Sequence, residues 1–257
     1  MTERVHAAVA TTLPHEALPW RARVRVALAA SSVGRALVEG PIRYFHATLE
    51  NKERIPQHGG ALLVGNHAMM GIDGVVLGAL VHRELGRQVR FLGEKNLWKI
   101  PVVRDVLTAL GAVPGEPARA VAMLTNGELV GVYPGGIDDS WKPASERHRL
   151  QWRSRAGFAR VAMRAGVPIV PIAGVGIDDM YTVVGRERWL GRRIFVSPRY
   201  DFPLVYGRFG SLIPRRAPQK FVALEPIDTR GDVNDDADVE RIRKATFDAL
   251  EVALRNG

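Results

Sequence analysis

Short apolar runs, each closed by glycine or proline, alternate along this chain with longer stretches whose apolar residues recur at helical spacing. Ala61-Leu62-Leu63-Val64, after the turn Gly59-Gly60, has the length and boundaries of a buried strand. Val89 to Leu92, Leu129 to Tyr133, Val167 to Ile172 and Lys220 to Leu224 read the same way. Between them the pattern predicts helices over Gly74–Leu85, Val102–Leu110, Pro117–Leu124, Ser154–Ala165 and Asp238–Leu254, and a turn at Val113-Pro114-Gly115. Pro117 suits a first helical turn, and the closing helix carries Val239, Ile242, Ala245, Phe247 and Leu250 on its apolar side. Pro168 and Pro171 remove ladder donors from their strand, which predicts an edge strand or irregular pairing. Strands alternating with helices imply an α/β fold with a largely parallel sheet flanked by helices. No repeat, low-complexity tract or linker divides it, so residues 41–257 are expected to form a single domain.

Residues 1–40 read differently. The chain up to about Pro19 has no clear pattern, and Arg21 to Val38 predicts a basic amphipathic helix with Val26, Val33 and Leu37 near one face. Such a helix fits a membrane interface or a docking site on its own domain.

Composition narrows the chemistry. The 257 residues include no cysteine, which excludes disulfides, zinc–thiolate sites and a cysteine nucleophile. A net charge of +9 favours anionic partners such as a phosphate-bearing substrate, an acidic membrane or nucleic acid. Arginines crowd the N-terminal region (Arg21, Arg23, Arg25, Arg35, Arg43) and again at Arg186, Arg188, Arg192 and Arg193, whereas Glu225 to Glu240 is acidic. Arginines interrupt the first apolar stretch, against a secretory signal. No apolar run reaches the about 18–20 residues needed to span a bilayer. The expectation is a soluble or peripheral protein. No metal-ligand spacing of His, Asp and Glu stands out, and a helix-turn-helix or ribonucleoprotein signature is missing, which argues against nucleic acid.

The strongest local signal is Val64-Gly65-Asn66-His67-Ala68-Met69-Met70-Gly71-Ile72-Asp73-Gly74. A buried strand ends in Asn-His, and a short loop containing Gly71 leads to an Asp that opens a helix. Asp73 is open to reading as a helix N-cap, and His67 as a loop histidine satisfied by backbone. However, functional residues of α/β proteins gather at the carboxyl ends of strands, and a histidine oriented by a carboxylate is the usual form of a general base. A second strand-to-turn junction, Val132-Tyr133-Pro134-Gly135-Gly136-Ile137-Asp138-Asp139, offers adjacent glycines whose N–H groups can converge on an anion.

In this order and combination, the Asn66-His67…Asp73 segment, Leu110-Gly111-Ala112-Val113-Pro114, Tyr133-Pro134-Gly135-Gly136 and Val167-Pro168-Ile169-Val170-Pro171 resemble the motifs of the glycerophospholipid acyltransferase superfamily, over roughly Asn51 to Glu225. The family's best-known members hold one residue fewer between His and Asp than the five here (Ala68 to Ile72), and Gly71 is the residue that permits a non-helical connection. Gly135 stands where the phospholipid enzymes carry Glu, and Asp139 matches the acid of the diacylglycerol-acyltransferase-like and phytyl-ester-synthase-like branch.

The resemblance implies acyl transfer from acyl-CoA or acyl carrier protein to a hydroxyl of a glycerolipid or other lipid alcohol, with no cofactor. His67 is the implied general base and Asp73 its orienting partner. Asn66, Gly71, Gly135, Gly136 and Asp139 are the implied substrate- or oxyanion-binding residues, and Arg119 a candidate for a phosphate. It also implies an anionic membrane surface as partner and a peripheral place on its cytoplasmic face. The rival readings are a catalytically inactive lipid-binding protein and an esterase or lipase. The nearest match to a nucleophile elbow, Ala30-Ser31-Ser32-Val33-Gly34, has no strand before it.

Overall fold

The computed structural model describes residues 32–187 and 202–257. The lead-in, most of the helix expected over Arg21–Val38 and the arginines at 188, 192 and 193 lie outside the described residues. The first described helix, α1 (Ser32–Tyr44), runs across the expected boundary at residue 40, with Pro41 inside it. Ile42 near its end and the following Phe45 are buried in the core.

The core elements in chain order are β1 (Thr48–Glu50), β2 (Ala61–Gly65), α2 (Ile72–Leu85), β3 (Val89–Gly93), α3 (Pro101–Ala109), β4 (Val113–Pro114), α4 (Pro117–Thr125), β5 (Leu129–Val132), α5 (Gly136–Ser140), α6 (Gly157–Ala165), β6 (Ile169–Val175), β7 (Thr182–Glu187), β8 (Phe202–Tyr206), β9 (Lys220–Ala223) and α7 (Asp236–Asn256). Seven strands form one sheet in the order β1-β9-β6-β2-β5-β3-β4. Its pairings are parallel except β6 with β9. β7 and β8 pair separately as an antiparallel hairpin.

The run Ala61–Val64 is apolar throughout because β2 is covered on both faces. Alternation assigns the faces: Ala61 and Leu63 pack with Val76, Leu77 and Leu80 of α2. Leu62 and Val64 pack with Leu124 of α4, Phe158 of α6 and Ile242 and Leu250 of α7. Deleting the Leu63 side chain to Ala in such a setting costs about 2–5 kcal/mol.

Two sequence expectations change. Val113-Pro114 is a short strand on the sheet edge, paired with Leu92 and Gly93, rather than only a turn. The proline-bearing strand is not an edge: β6 lies between β2 and β9. Its pairing is nonetheless irregular, since Ile169 bridges Ile227 while Ile172 faces Ala223, leaving an extra residue on the partner strand. Pro171 lies opposite that bulge, where the missing N–H breaks no regular ladder bond. Its carbonyl still accepts from Leu224 N–H at 2.8 Å.

α3 contributes no buried residue, and Val102 (74% exposed), Val106 and Leu110 form an apolar stripe open to solvent. Among the described residues no helix is long and apolar enough to cross a membrane.

Candidate active site

β2 and β5 are adjacent and parallel with Val64 opposite Val132, so both chains leave the sheet side by side at one edge. The His67 loop and the Gly135-Gly136 turn therefore adjoin, as the strand-end motifs predict. His67 N–H crosses between them, donating to Asp139 Oδ2 at 3.1 Å.

The imidazole Nδ1 of His67 lies 3.0 Å from Asp73 Oδ2, with the His67 side chain 20% exposed and that of Asp73 0%. The five-residue spacer closes because two successive residues are left-handed, Met70 (φ 62, ψ 9) and Gly71 (φ 70, ψ 16). Gly71 adopts this shape freely. Met70 bears a strain of about 1–2 kcal/mol there, and its side chain is exposed. The turn places Gly71 at the N-cap position of α2, so Asp73 is not the cap but a first-turn residue whose carboxylate faces His67.

Because a carboxylate oxygen accepts, the pairing puts the imidazole proton on Nδ1 and leaves Nε2 available as a base. Burial by itself pushes the His67 pKa down. The charge and hydrogen bond of Asp73 outweigh it, with help from Asp139 and opposition from Lys142, and the value is raised above the usual histidine range.

On one face, the His67 ring stacks against Tyr133, with centroids 4.4 Å apart and planes within 9°. Phe91 continues the stack behind Tyr133 at 5.7 Å and 12°. The Tyr133 hydroxyl and Asp73 Oδ1 are both buried, and neither has a hydrogen-bond partner.

Asn66 and Asp139, expected from the sequence to meet substrate or the oxyanion, turn inward instead. Asn66 Nδ2 donates to Gly174 O at 2.9 Å and its Oδ1 accepts from Gly174 N–H at 2.8 Å, clamping β2 to β6. Asp139 spends one oxygen on His67 N–H and the other on Gln151 N–H at 3.0 Å. Lys142 Nζ stands 3.5 Å from Asp139 and 2.9 Å from Asp178, and donates to Arg149 O at 3.1 Å. Burial pushes the Asp139 pKa up, against the pull of Lys142 and the Gln151 hydrogen bond. A buried polar group needs such partners, and His67, Gln151 and Lys142 supply them to Asp139.

The glycine turn is likewise committed. Gly136 N–H donates to Tyr133 O at 3.0 Å, so it is not a free oxyanion donor. Arg155 binds the carbonyls of Pro134 and Gly135. A Cβ at residue 135 would collide with the Asp139 side chain, so this turn admits only glycine there. Arg119 is exposed in the first turn of α4 and pairs with Glu116 at 3.4 Å, a surface contact. Among the described residues no group of His, Asp and Glu could hold a metal ion.

Tyr133, Lys142 and Arg155 are site residues that sequence reasoning missed. Tyr133 was legible only as the last residue of an apolar strand, and nothing local shows which way its ring points.

The Acyltransferase family model matches residues 46–175. An uncharacterized protein of Mycobacterium tuberculosis (strain ATCC 25618 / H37Rv) is 32% identical over 202 residues, covering 76% of this chain and 56% of that protein. A human protein named "DGAT1/2-independent enzyme synthesizing storage lipids" is 32% identical over 157 residues, covering 61% of this chain and 48% of its own length. The chain thus spans about half the length of these curated relatives. The crystal structure of the 1-acyl-sn-glycerophosphate acyltransferase PlsC from Thermotoga maritima superimposes with a TM-score of 0.54 at 19% identity, covering 87% of this chain and 79% of that one. That likeness shows a shared fold.

Proposed function

The chain belongs to the Acyltransferase family, and from that premise we propose that it moves a fatty acyl group from a thioester, acyl-CoA or acyl carrier protein, to the hydroxyl of a glycerolipid or other lipid alcohol. The observation that carries the reading is the His67 Nδ1–Asp73 Oδ2 contact of 3.0 Å, formed at a strand edge with the imidazole part-exposed and the carboxylate fully buried.

In this reading His67 Nε2 takes the acceptor's hydroxyl proton as its oxygen attacks the thioester carbonyl. Asp73 holds the imidazole tautomer and stabilises the imidazolium without itself taking the proton. The tetrahedral oxyanion collapses with cleavage of the C–S bond, and the thiolate leaves with the proton from His67. Gly135 N–H, at the start of the glycine turn, is the backbone donor we assign to the oxyanion.

The branch that Gly135 and Asp139 resemble favours a neutral acceptor over lysophosphatidate. The relatives named for storage lipids support the same preference. A water-insoluble acceptor calls for a membrane surface. The exposed stripe Val102, Val106 and Leu110 on α3, flanked by Lys95 and Lys99, and the exposed Phe209, Leu212 and Ile213 suit an anionic bilayer. Both segments connect to carboxyl ends of strands (β3 and, through the hairpin, β6), the edge that bears His67.

The test is transfer of a labelled acyl group from acyl-CoA and acyl carrier protein to a panel of diacylglycerol, lysophospholipids and long-chain alcohols. Transfer by wild type and its loss in a folded His67→Ala protein are expected. Transfer by His67→Ala at the wild-type rate would reject the mechanism.

A further inference from the structure

We propose that Tyr133 is a positioning residue of this site, its ring backing the His67 imidazole and its hydroxyl holding the Asp73 carboxylate. The inference rests on the reading of His67 as general base and adds a residue that no part of that reading requires.

Two independent observations support it. The first is the stack, in which the Tyr133 ring lies nearly parallel to His67 with its own far face covered by Phe91. A ring pinned between Phe91 and the imidazole fixes the plane in which His67 can lie. It also presents a π face to the imidazolium that forms when the base takes its proton, an electrostatic attraction absent while the ring is neutral.

The second is a matched pair of buried polar atoms. Asp73 uses Oδ2 for His67, and its Oδ1 is left without a partner in the protein interior. The Tyr133 hydroxyl is equally buried and makes no hydrogen bond of ordinary geometry, yet it lies near enough to the same carboxylate for a long hydrogen bond to Asp73 to add to the rise in its pKa. Burial, and then the Asp73 charge, push the Tyr133 pKa well up, so the hydroxyl stays protonated as a donor. A carboxylate that can only accept and a phenol with an O–H to donate are complementary. A small approach of the two satisfies both, and catalytic hydrogen bonds are often long before substrate binds.

Tyr133→Phe and Tyr133→Leu separate the contributions. Kinetics across pH would be measured together with NMR titration of the His67 Cε1–H. The charged groups facing His67 are Asp73 from α2, Asp139 from α5 and Lys142 just beyond it, and all remain in both variants. Tyr133→Phe keeps the ring and removes the donor. It is expected to lower kcat about tenfold with KM unchanged, and to move the His67 titration upward, because the Asp73 charge is no longer shared with the hydroxyl. Tyr133→Leu removes the π face together with the hydroxyl, so its His67 titration is expected to lie below that of Tyr133→Phe, the difference being the contribution of the ring.

A raised His67 titration with lowered kcat in Tyr133→Phe, and a titration in Tyr133→Leu below that of Tyr133→Phe, establish the positioning role. A lowered Tm in the variants with wild-type kcat and an unmoved His67 titration would overturn it, leaving Tyr133 a packing residue. If Tyr133→Leu does not fold, Tyr133→Phe decides by the same two readouts. Loss of transfer in His67→Ala, run alongside, keeps this outcome apart from failure of the general-base reading.

Discussion

Replacing Asp73 by Asn removes a charge and leaves the volume nearly unchanged. In the native site the Asp73 carboxylate is fully buried, 3.0 Å from His67 Nδ1. Charges about 4 Å apart at an effective dielectric of about 20 interact by about 4 kcal/mol. The imidazolium exists on the path to the tetrahedral intermediate and not in the resting base. At about 1.4 kcal/mol per decade, losing that interaction lowers turnover on the order of 10³-fold, within the about 10²–10⁴-fold range of general-base catalysis.

The pH dependence gives a sharper signature. Burial lowers the His67 pKa and Asp73 raises it to a net increase. Without the carboxylate the burial effect is left unopposed by its main counterweight, and the pKa falls. The acid limb of kcat/KM should therefore move to lower pH as the plateau drops. The stability consequence follows in sign from the same shift. A histidine whose folded pKa is raised contributes stability fully below its unfolded value of about 6.5, and loses it as pH rises through the folded value. Asp73→Asn should thus be destabilised most in acid and least at alkaline pH. Pre-steady-state transfer rates across pH, with urea unfolding on both sides of the limb, check both expectations. A wild-type plateau, or an acid limb displaced upward, would refute the pairing as the source of the base.

Gly71→Val should cost at least about 1–2 kcal/mol, because a β-branched residue resists φ +70. Gly71→Asn should retain more activity, as Asn enters the left-handed region more readily; equal urea midpoints and rates for the two would contradict this. Asp139→Asn offers one acceptor where His67 N–H and Gln151 N–H each now use an oxygen, so a loss of about 1–3 kcal/mol is expected in chemical denaturation. Asn66→Ala orphans both backbone groups of Gly174, at about 1–3 kcal/mol for each group left unsatisfied. For α3, Val102→Asp with Val106→Asp should leave unfolding within about 0.5 kcal/mol of wild type and weaken sedimentation with anionic liposomes. Unchanged sedimentation would place the membrane face elsewhere.

The alternation of strands and helices is legible in the sequence, because period and punctuation are local properties written into each segment. The sequence pointed to the pairing of His67 with Asp73 only through the motif resemblance, with Gly71 marking the bend before the first turn of α2. It missed β1, whose Thr48-Leu49-Glu50 has too few residues to show a period, and the β7–β8 hairpin, whose strands pack beside the main sheet. Which way the neighbouring side chains turn depends on pairings between strands distant in the chain. Asn66 faces Gly174, 108 residues away, because β2 pairs with β6 in one particular register. Asp139 reaches His67 N–H, 72 residues away, because β5 pairs on the other side. Pro171, an edge signal by its own chemistry, is tolerated centrally because the partner strand supplies a bulge. Tyr133 could be placed against His67 only once β2, β5 and β3 stood side by side, which brings Phe91, Tyr133 and His67 into one stack. A side chain's direction is set by strand register with partners distant in the chain, and no local window of residues contains that register.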